Sequence, residues 1–188
     1  MRWNRLARRI RVPLGFLLAA LYLWRACPSL GSMLCGGGVA GVGLGIRAMA
    51  SGYVRKNEEL ATAGPYGYTR NPLYLGSIVI AAGFALSARS WIVVAVVSLM
   101  FLAIYLPVIR GEEAFLRERF PAFAEYERRV PRLLPRIGAW FAAPRPPRGA
   151  FSRELYLQHR EYNALAGALA MMVLLTVKLT VKLPWFSC

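Results

Sequence analysis

Two short stretches hold most of the side chains that could grip or react with a polar ligand. The first runs Leu60-Ala61-Thr62-Ala63-Gly64-Pro65-Tyr66-Gly67-Tyr68-Thr69-Arg70-Asn71-Pro72-Leu73-Tyr74-Leu75-Gly76. The second opens at Arg110 with adjacent Glu112 and Glu113, then carries Leu116, Phe120, Phe123, Tyr126 and Val130-Pro131. A carboxylate can hold an ammonium group or accept a proton, while Arg and Asn can donate to an anion. Such a density of hydrogen-bonding groups at a membrane boundary is what a polar ligand there requires. Each stretch also has a plainer explanation. Gly64-Pro65 and Asn71-Pro72 are turn signals, and Pro72 suits the first turn of a helix. Two adjacent glutamates often do no more than pair with nearby arginines.

Other chemistries are excluded at once. All nine acidic residues are glutamates, and the chain has one His and no Asp, so a Ser-His-Asp triad cannot be assembled. Cys27, Cys35 and Cys188 show no CxxC and no paired spacing, so neither a metal site nor a disulfide framework is expected.

The elements that must position these groups follow from where charge is missing. The chain is 57% hydrophobic with a formal net charge of +15, and its mean hydropathy is +0.41. Uncharged intervals of 13, 21, 18, 20 and 16 residues follow Arg11, Arg25, Arg70, Arg89 and Glu161. A membrane-spanning helix needs roughly 20 mostly apolar residues. The intervals predict an all-α, polytopic integral membrane protein with five spans, near 12–29, 31–50, 72–88, 90–109 and 162–181. Lys178 and Lys182 are expected to snorkel to the far interface and lengthen the last span. The whole chain, 1–188, reads as one membrane domain, with 58–136 carrying the motifs and 137–188 an extension that ends in the last helix. Twenty of the 24 basic residues fall on one side of this arrangement, at the N-terminus and in the 47–70 and 110–160 segments. That side is expected to be cytoplasmic, leaving the C-terminus outside an inner or plasma membrane. The basic excess is then topology plus attraction to membrane lipids, and no nucleic-acid-binding motif appears.

Two further patterns concern packing. Gly37, Gly41 and Gly45 recur at four-residue spacing and are expected to let a neighbouring helix approach closely. Leu116, Phe120, Phe123, Tyr126 and Val130 form an apolar stripe interrupted by Pro121. It predicts one or two amphipathic helices lying in the headgroup plane on the cytoplasmic side.

Taken together, the run Leu60-x-Thr62-x-Gly64-Pro65-Tyr66-x3-Arg70-x-Pro72-x-Tyr74-x-Gly76, an apolar hairpin, and then Glu112-Glu113-x2-Leu116-x3-Phe120 resemble the isoprenylcysteine carboxyl methyltransferases. The pattern is similar also to the related phospholipid methyltransferases. The resemblance covers Leu60 to Arg136. It implies a membrane methyltransferase that uses S-adenosylmethionine and acts on a lipophilic small molecule or lipid. It implies cofactor contacts at Leu60, Ala61, Tyr66, Asn71, Pro72, Leu73, Tyr74 and Glu112, with Arg70 and Glu113 as the catalytic candidates. The family's usual His is Asn71 here, which keeps a donor but cannot carry a positive charge.

The chemistry so implied suits these residues. Displacement at a sulfonium methyl needs alignment and desolvation rather than covalent catalysis. A carboxylate acceptor needs no base, whereas an amine acceptor must lose a proton, which Glu112 or Glu113 could take. A sterol-reductase-like enzyme using NADPH is the nearest rival, on a related Arg-His-Pro-x-Tyr-x-Gly stretch. A non-catalytic lipid-binding protein of the same fold is the other.

Overall fold

In a computed structural model of the chain, which describes residues 15–55, 58–135 and 150–181, every regular element among the described residues is helical. The basic N-terminal arm, Lys56, the 136–149 stretch, Lys182 and Cys188 lie outside the described residues. Helix α1 (Gly15–Arg25) stops short of the expected Ser29. Pro28 disfavours helical backbone at Cys27, and Ser29 is needed elsewhere. Its hydroxyl accepts from the Ser32 amide while the Ser32 hydroxyl accepts from the Ser29 amide, a reciprocal cap that starts α2 (Leu30–Ser51).

Helix α3 (Pro72–Ala88) runs back against α2, with Pro72 in its first turn. Arg89, in the left-handed region at φ 49°, turns the chain within two residues into α4 (Trp91–Arg119). That helix is longer than expected, because the fourth span and the Glu112-Glu113 segment are continuous. Phe101–Tyr105 widens to a π turn just ahead of Pro107. Proline has no amide proton and its ring crowds the preceding turn, and the wider turn takes up the misfit. After the break at Pro121 comes α5 (Phe123–Arg129). Its Phe123 and Tyr126 are buried within the protein, while Leu116, Phe120 and Val130 of the same stripe are half-buried. The chain resumes with α6 (Arg153–Gln158) and, after Arg160 at φ 51°, α7 (Tyr162–Thr180).

Of the five expected spans, α2, α4 and α7 are long and apolar enough to cross a membrane, while α1 and α3 are shorter apolar helices. Tyr22, Ala26, Met33, Ala88, Val93 and Leu175 form a buried cluster drawn from α1, the α1–α2 connection, α2, α3, α4 and α7. Cys27 is disulfide-bonded, contrary to the expectation from spacing, and Cys35 is an exposed free thiol. Lys178 lies in the last turn of α7. Its ammonium donates to the carbonyls of Leu23 (2.6 Å) and Trp24 (3.2 Å), capping the end of α1.

The α2–α3 seam uses a different glycine set from the one the spacing suggested. A Cβ on Gly41 or Gly45 would meet nothing within 4 Å, and one on Gly37 would meet only the Met172 methyl. The contact is made by Gly36 and Gly43 against Gly83 and Gly76. A Cβ on Gly43 would sit 2.6 Å from the Gly76 carbonyl oxygen, and one on Gly83 would sit 2.5 Å from that of Gly36. The two backbones therefore touch along most of their length.

Candidate functional site

Gly64 opens the first motif segment. Its φ of +57° is left-handed, and a Cβ there would strike the Tyr53 ring at 2.8 Å, so glycine is required twice over. The 3₁₀ turn Gly64–Gly67 that follows buries Tyr66. Leu60 and Ala61 lie half-buried ahead of this turn, outside the hydrogen-bonded network.

The loop after Tyr66 is stitched to the chain around α5. The Tyr126 hydroxyl donates to the Tyr66 carbonyl at 2.7 Å, the Arg70 amide to the Pro131 carbonyl at 2.9 Å, and the Thr69 hydroxyl to the Arg132 carbonyl at 3.2 Å. Asn71 makes the decisive link. Its side-chain nitrogen donates to Glu113 Oε1 at 3.0 Å and to the Arg132 carbonyl at 3.1 Å. Both partners are acceptors, which fixes the amide's orientation and leaves only its oxygen for anything else.

Glu113 is 2% exposed and stands at the centre of this network. Besides Asn71 it accepts from Arg132 Nε at 2.8 Å and lies 3.6 Å from Arg70 Nη1. Arg70 Nη1 also reaches Glu127 at 2.8 Å, and Arg117 forks onto the same Glu127. The hydrogen bonds from Arg117 and Arg70 hold the Glu127 carboxyl below its usual range. Arg70 Nε is buried with no partner.

A second group surrounds the phenol of Tyr66. Burial pushes that phenol well up, with Tyr126, Glu112 and Glu161 adding and Arg47 opposing. Glu112 is half-buried and makes no ion pair among the described residues. Pro72 is buried, the Leu73 carbonyl accepts from Arg47, and Tyr74 packs edge-on against Tyr105 at 6.1 Å. Beyond Tyr105 an apolar groove of about 830 Å³ runs between α3 and α4, lined by Ser77, Ala81, Ala85, Val94 and Phe101, and ends at Arg89 and Trp91.

Thus Arg70, Asn71 and Glu113 share one network, while Glu112 acts on the Tyr66 phenol only through its charge. Sequence reasoning missed Arg47, Arg117, Glu127, Arg132 and Glu161. Arg47 carried a signal, being a lone cation four residues before the end of an otherwise apolar helix. The others carried none.

The profile of the phospholipid methyltransferase family matches residues 14–122, more than half of the chain. The chain belongs to the phospholipid methyltransferase family. It is similar to the cobalt-zinc-cadmium resistance protein CzcN of Cupriavidus metallidurans, with 43% identity over 86 residues, which are 46% of this chain and 40% of that protein. It is similar also to the nickel-cobalt-cadmium resistance protein NccN of Alcaligenes xylosoxydans xylosoxydans, with 40% identity over 83 residues, 44% of this chain and 39% of that protein. The matches thus span about two-fifths of the length of these relatives. No solved structure matches. Within this phospholipid methyltransferase family member, the matched stretch takes in the Arg70-Asn71 turn and Glu112-Glu113. Their partners Glu127 and Arg132 lie beyond it, as does Glu161, the partner of Arg47.

Proposed function

We propose that this chain is an integral-membrane methyltransferase that moves a methyl group from S-adenosylmethionine to a lipophilic acceptor. One observation carries most of the weight: the Asn71–Glu113 bond joins both motif segments, and an apolar groove opens further along α3 and α4, from Ser77 and Tyr105 onward. The groove's wall from Ser77 to Arg89 rises about 18 Å, the reach of a fatty acyl chain lying along the helix.

The residues present fit the cofactor's amino-acid end. Glu112 offers an unpaired carboxylate to an ammonium, and Arg70 Nε is a buried donor for a carboxylate. Tyr66 and the Pro72-Leu73-Tyr74 turn supply apolar walls, with Leu60 and Ala61 at the approach. When bound, the cofactor supplies an electrophilic methyl on a good leaving group. The protein's part is to orient the acceptor and exclude water. Glu113 already serves Asn71, Arg70 and Arg132, so we assign it and Asn71 to holding the site's shape rather than to moving a proton.

Calorimetry in detergent tests the cofactor assignment. S-adenosylmethionine is expected to bind, and Glu112→Gln to weaken it about tenfold, the scale of one charge-assisted hydrogen bond. Glu125→Gln, at an exposed pair with Arg129, is expected to change nothing. No binding at millimolar cofactor, or binding of NADPH instead, overturns the reading. The acceptor is then identified from the lipids labelled when membranes receive methyl-labelled cofactor.

We further infer that the motif end faces the cytoplasm. Cysteines placed singly at Ser90 and Glu125, with the native cysteines replaced, are expected to react from outside and to be protected, respectively, in intact cells. The opposite pattern reverses the orientation. Resistance, for which the relatives are named, fits the same activity: a methyl ester removes a negative charge that draws divalent cations to the membrane surface. Cadmium tolerance restored by the wild type but not by Glu112→Gln is the corresponding check.

A further inference from the structure

The last helix lies beyond the stretch matched to the family, yet the residue that caps its start is tied to Arg47, which grips the first turns of α3. Arg47 of α2 crosses to Glu161, the residue that precedes α7. Its Nε donates to Glu161 Oε2 at 2.9 Å and its Nη2 to Oε1 at 2.8 Å, a two-pronged fork. Its Nη1 donates to the Leu73 carbonyl at 3.3 Å and to the Ser77 hydroxyl, both on the opening turns of α3. Four of the guanidinium's five N–H groups are therefore aimed, two at the carboxylate and two at α3. Glu161 is 10% exposed and Arg47 24%, so water screens the pair weakly.

Gly76 makes this crossing possible. A Cβ at Gly76 would fall 2.6 Å from Arg47 Cγ and 2.7 Å from the Gly43 carbonyl oxygen. The last glycine of the first motif segment is thus the floor over which the Arg47 stem passes. The turn that Arg47 grips carries Leu73 and Tyr74, and the charges of Arg47 and Glu161 both act on the Tyr66 phenol.

We propose that Arg47 and Glu161 are a positioning pair: Glu161 orients the guanidinium, and the guanidinium fixes the Leu73–Ser77 turn at the depth the cofactor site needs, which rests on the methyltransferase reading above. The last helix is then a working part of the site. A pair that merely tied α2 to α7 would be indifferent to which helix carried which charge. Positioning is not, because a glutamate at position 47 has no N–H to offer Leu73 or Ser77.

The full-length wild type, Glu161→Gln, and the exchanged double variant Arg47→Glu/Glu161→Arg separate these roles. Each is purified in detergent and measured for melting temperature, hydrogen exchange of peptides covering residues 72–77, and S-adenosylmethionine affinity. Glu161→Gln is expected to speed exchange at 72–77 about tenfold over the α2–α3 seam and to weaken cofactor binding about tenfold, again the scale of one charge-assisted hydrogen bond. The exchanged variant is expected to recover the wild-type melting temperature but neither the exchange protection nor the affinity. Recovery of all three, or unchanged exchange at 72–77 in Glu161→Gln, overturns the proposal. Should Glu161→Gln fail to fold, Arg47→Lys decides: its ammonium cannot span both Glu161 and α3, so the same local exchange increase is expected, and its absence overturns the pair. A wild type that binds no cofactor refutes the methyltransferase reading, while the exchange measurements still decide the pair.

Discussion

Gly43→Leu is expected to abolish the folded protein. The first added atom would lie 2.6 Å from the Gly76 carbonyl oxygen, 2.7 Å from the Ile80 amide nitrogen and 2.8 Å from Ile80 Cγ1. Two of those are backbone atoms, so no rotamer change relieves the clash. The helices would have to part, and parting them also opens Gly36 against Gly83. Association of helices in lipid rests on close packing and carries no hydrophobic drive of its own. Overpacking alone costs about 1–3 kcal/mol in an ordinary core, and the lost seam adds to that. Gly45→Leu is the control. It faces open space within 4 Å and is expected to melt within a few degrees of the wild type. Size-exclusion profiles after graded heating measure both. Equal behaviour of the two variants would place the seam elsewhere.

Asn71→Asp is expected to be nearly as damaging, though it changes only an amide to a carboxylate. The new oxygen would face Glu113 Oε1, now 3.0 Å from the amide nitrogen, at a site only 2% exposed on the Glu113 side. Two carboxylates so close cannot both ionise without strong repulsion, and both hydrogen bonds from Asn71 are lost. A cost of about 3–5 kcal/mol, the scale of a broken buried charge network, is expected. The pH dependence has a definite sign. The shared proton raises the pair's folded-state titration above its unfolded value, so the variant is least unstable in acid and loses stability as pH rises. Melting at pH 5 and pH 8 checks this: the gap from wild type should narrow at pH 5. A constant gap would mean that Asn71 and Glu113 are not in contact.

Much of the helical plan was legible because apolar length is nearly all that a membrane asks of a helix. The charge-free intervals located α2, α3 and α7 to within a residue or so at each end. The glycine seam was not legible. α2 is apolar or small on every side, so Gly37-Gly41-Gly45 and Gly36-Ala40-Gly43 offer equally good stripes, and only α3 selects between them. The end of α1 was missed because the apolar run continues through Cys27 while Pro28 and Ser29 decide the backbone. In the candidate site, the two motif segments announced themselves by residue type. The partners of Glu113 did not, because any of eleven arginines between Arg110 and Arg160 could have answered it, and spacing along the chain does not say which. The burial of Phe123 and Tyr126 was hidden for a related reason. An apolar stripe suits a lipid surface as well as a protein one.

The cap that Lys178 places on α1 has a consequence for the order in which the protein is made. Its ammonium and the carbonyl of Leu23 are 155 residues apart in the chain. At a synthesis rate of about 5–20 residues per second, the first helix waits roughly 10–30 s before its permanent partner exists. Until then the carbonyls of Leu23 and Trp24 must be served by water or headgroups at the bilayer edge. A helix in that position can be inserted early but not seated. The clasp reaches α1 only after the helices between them have been made.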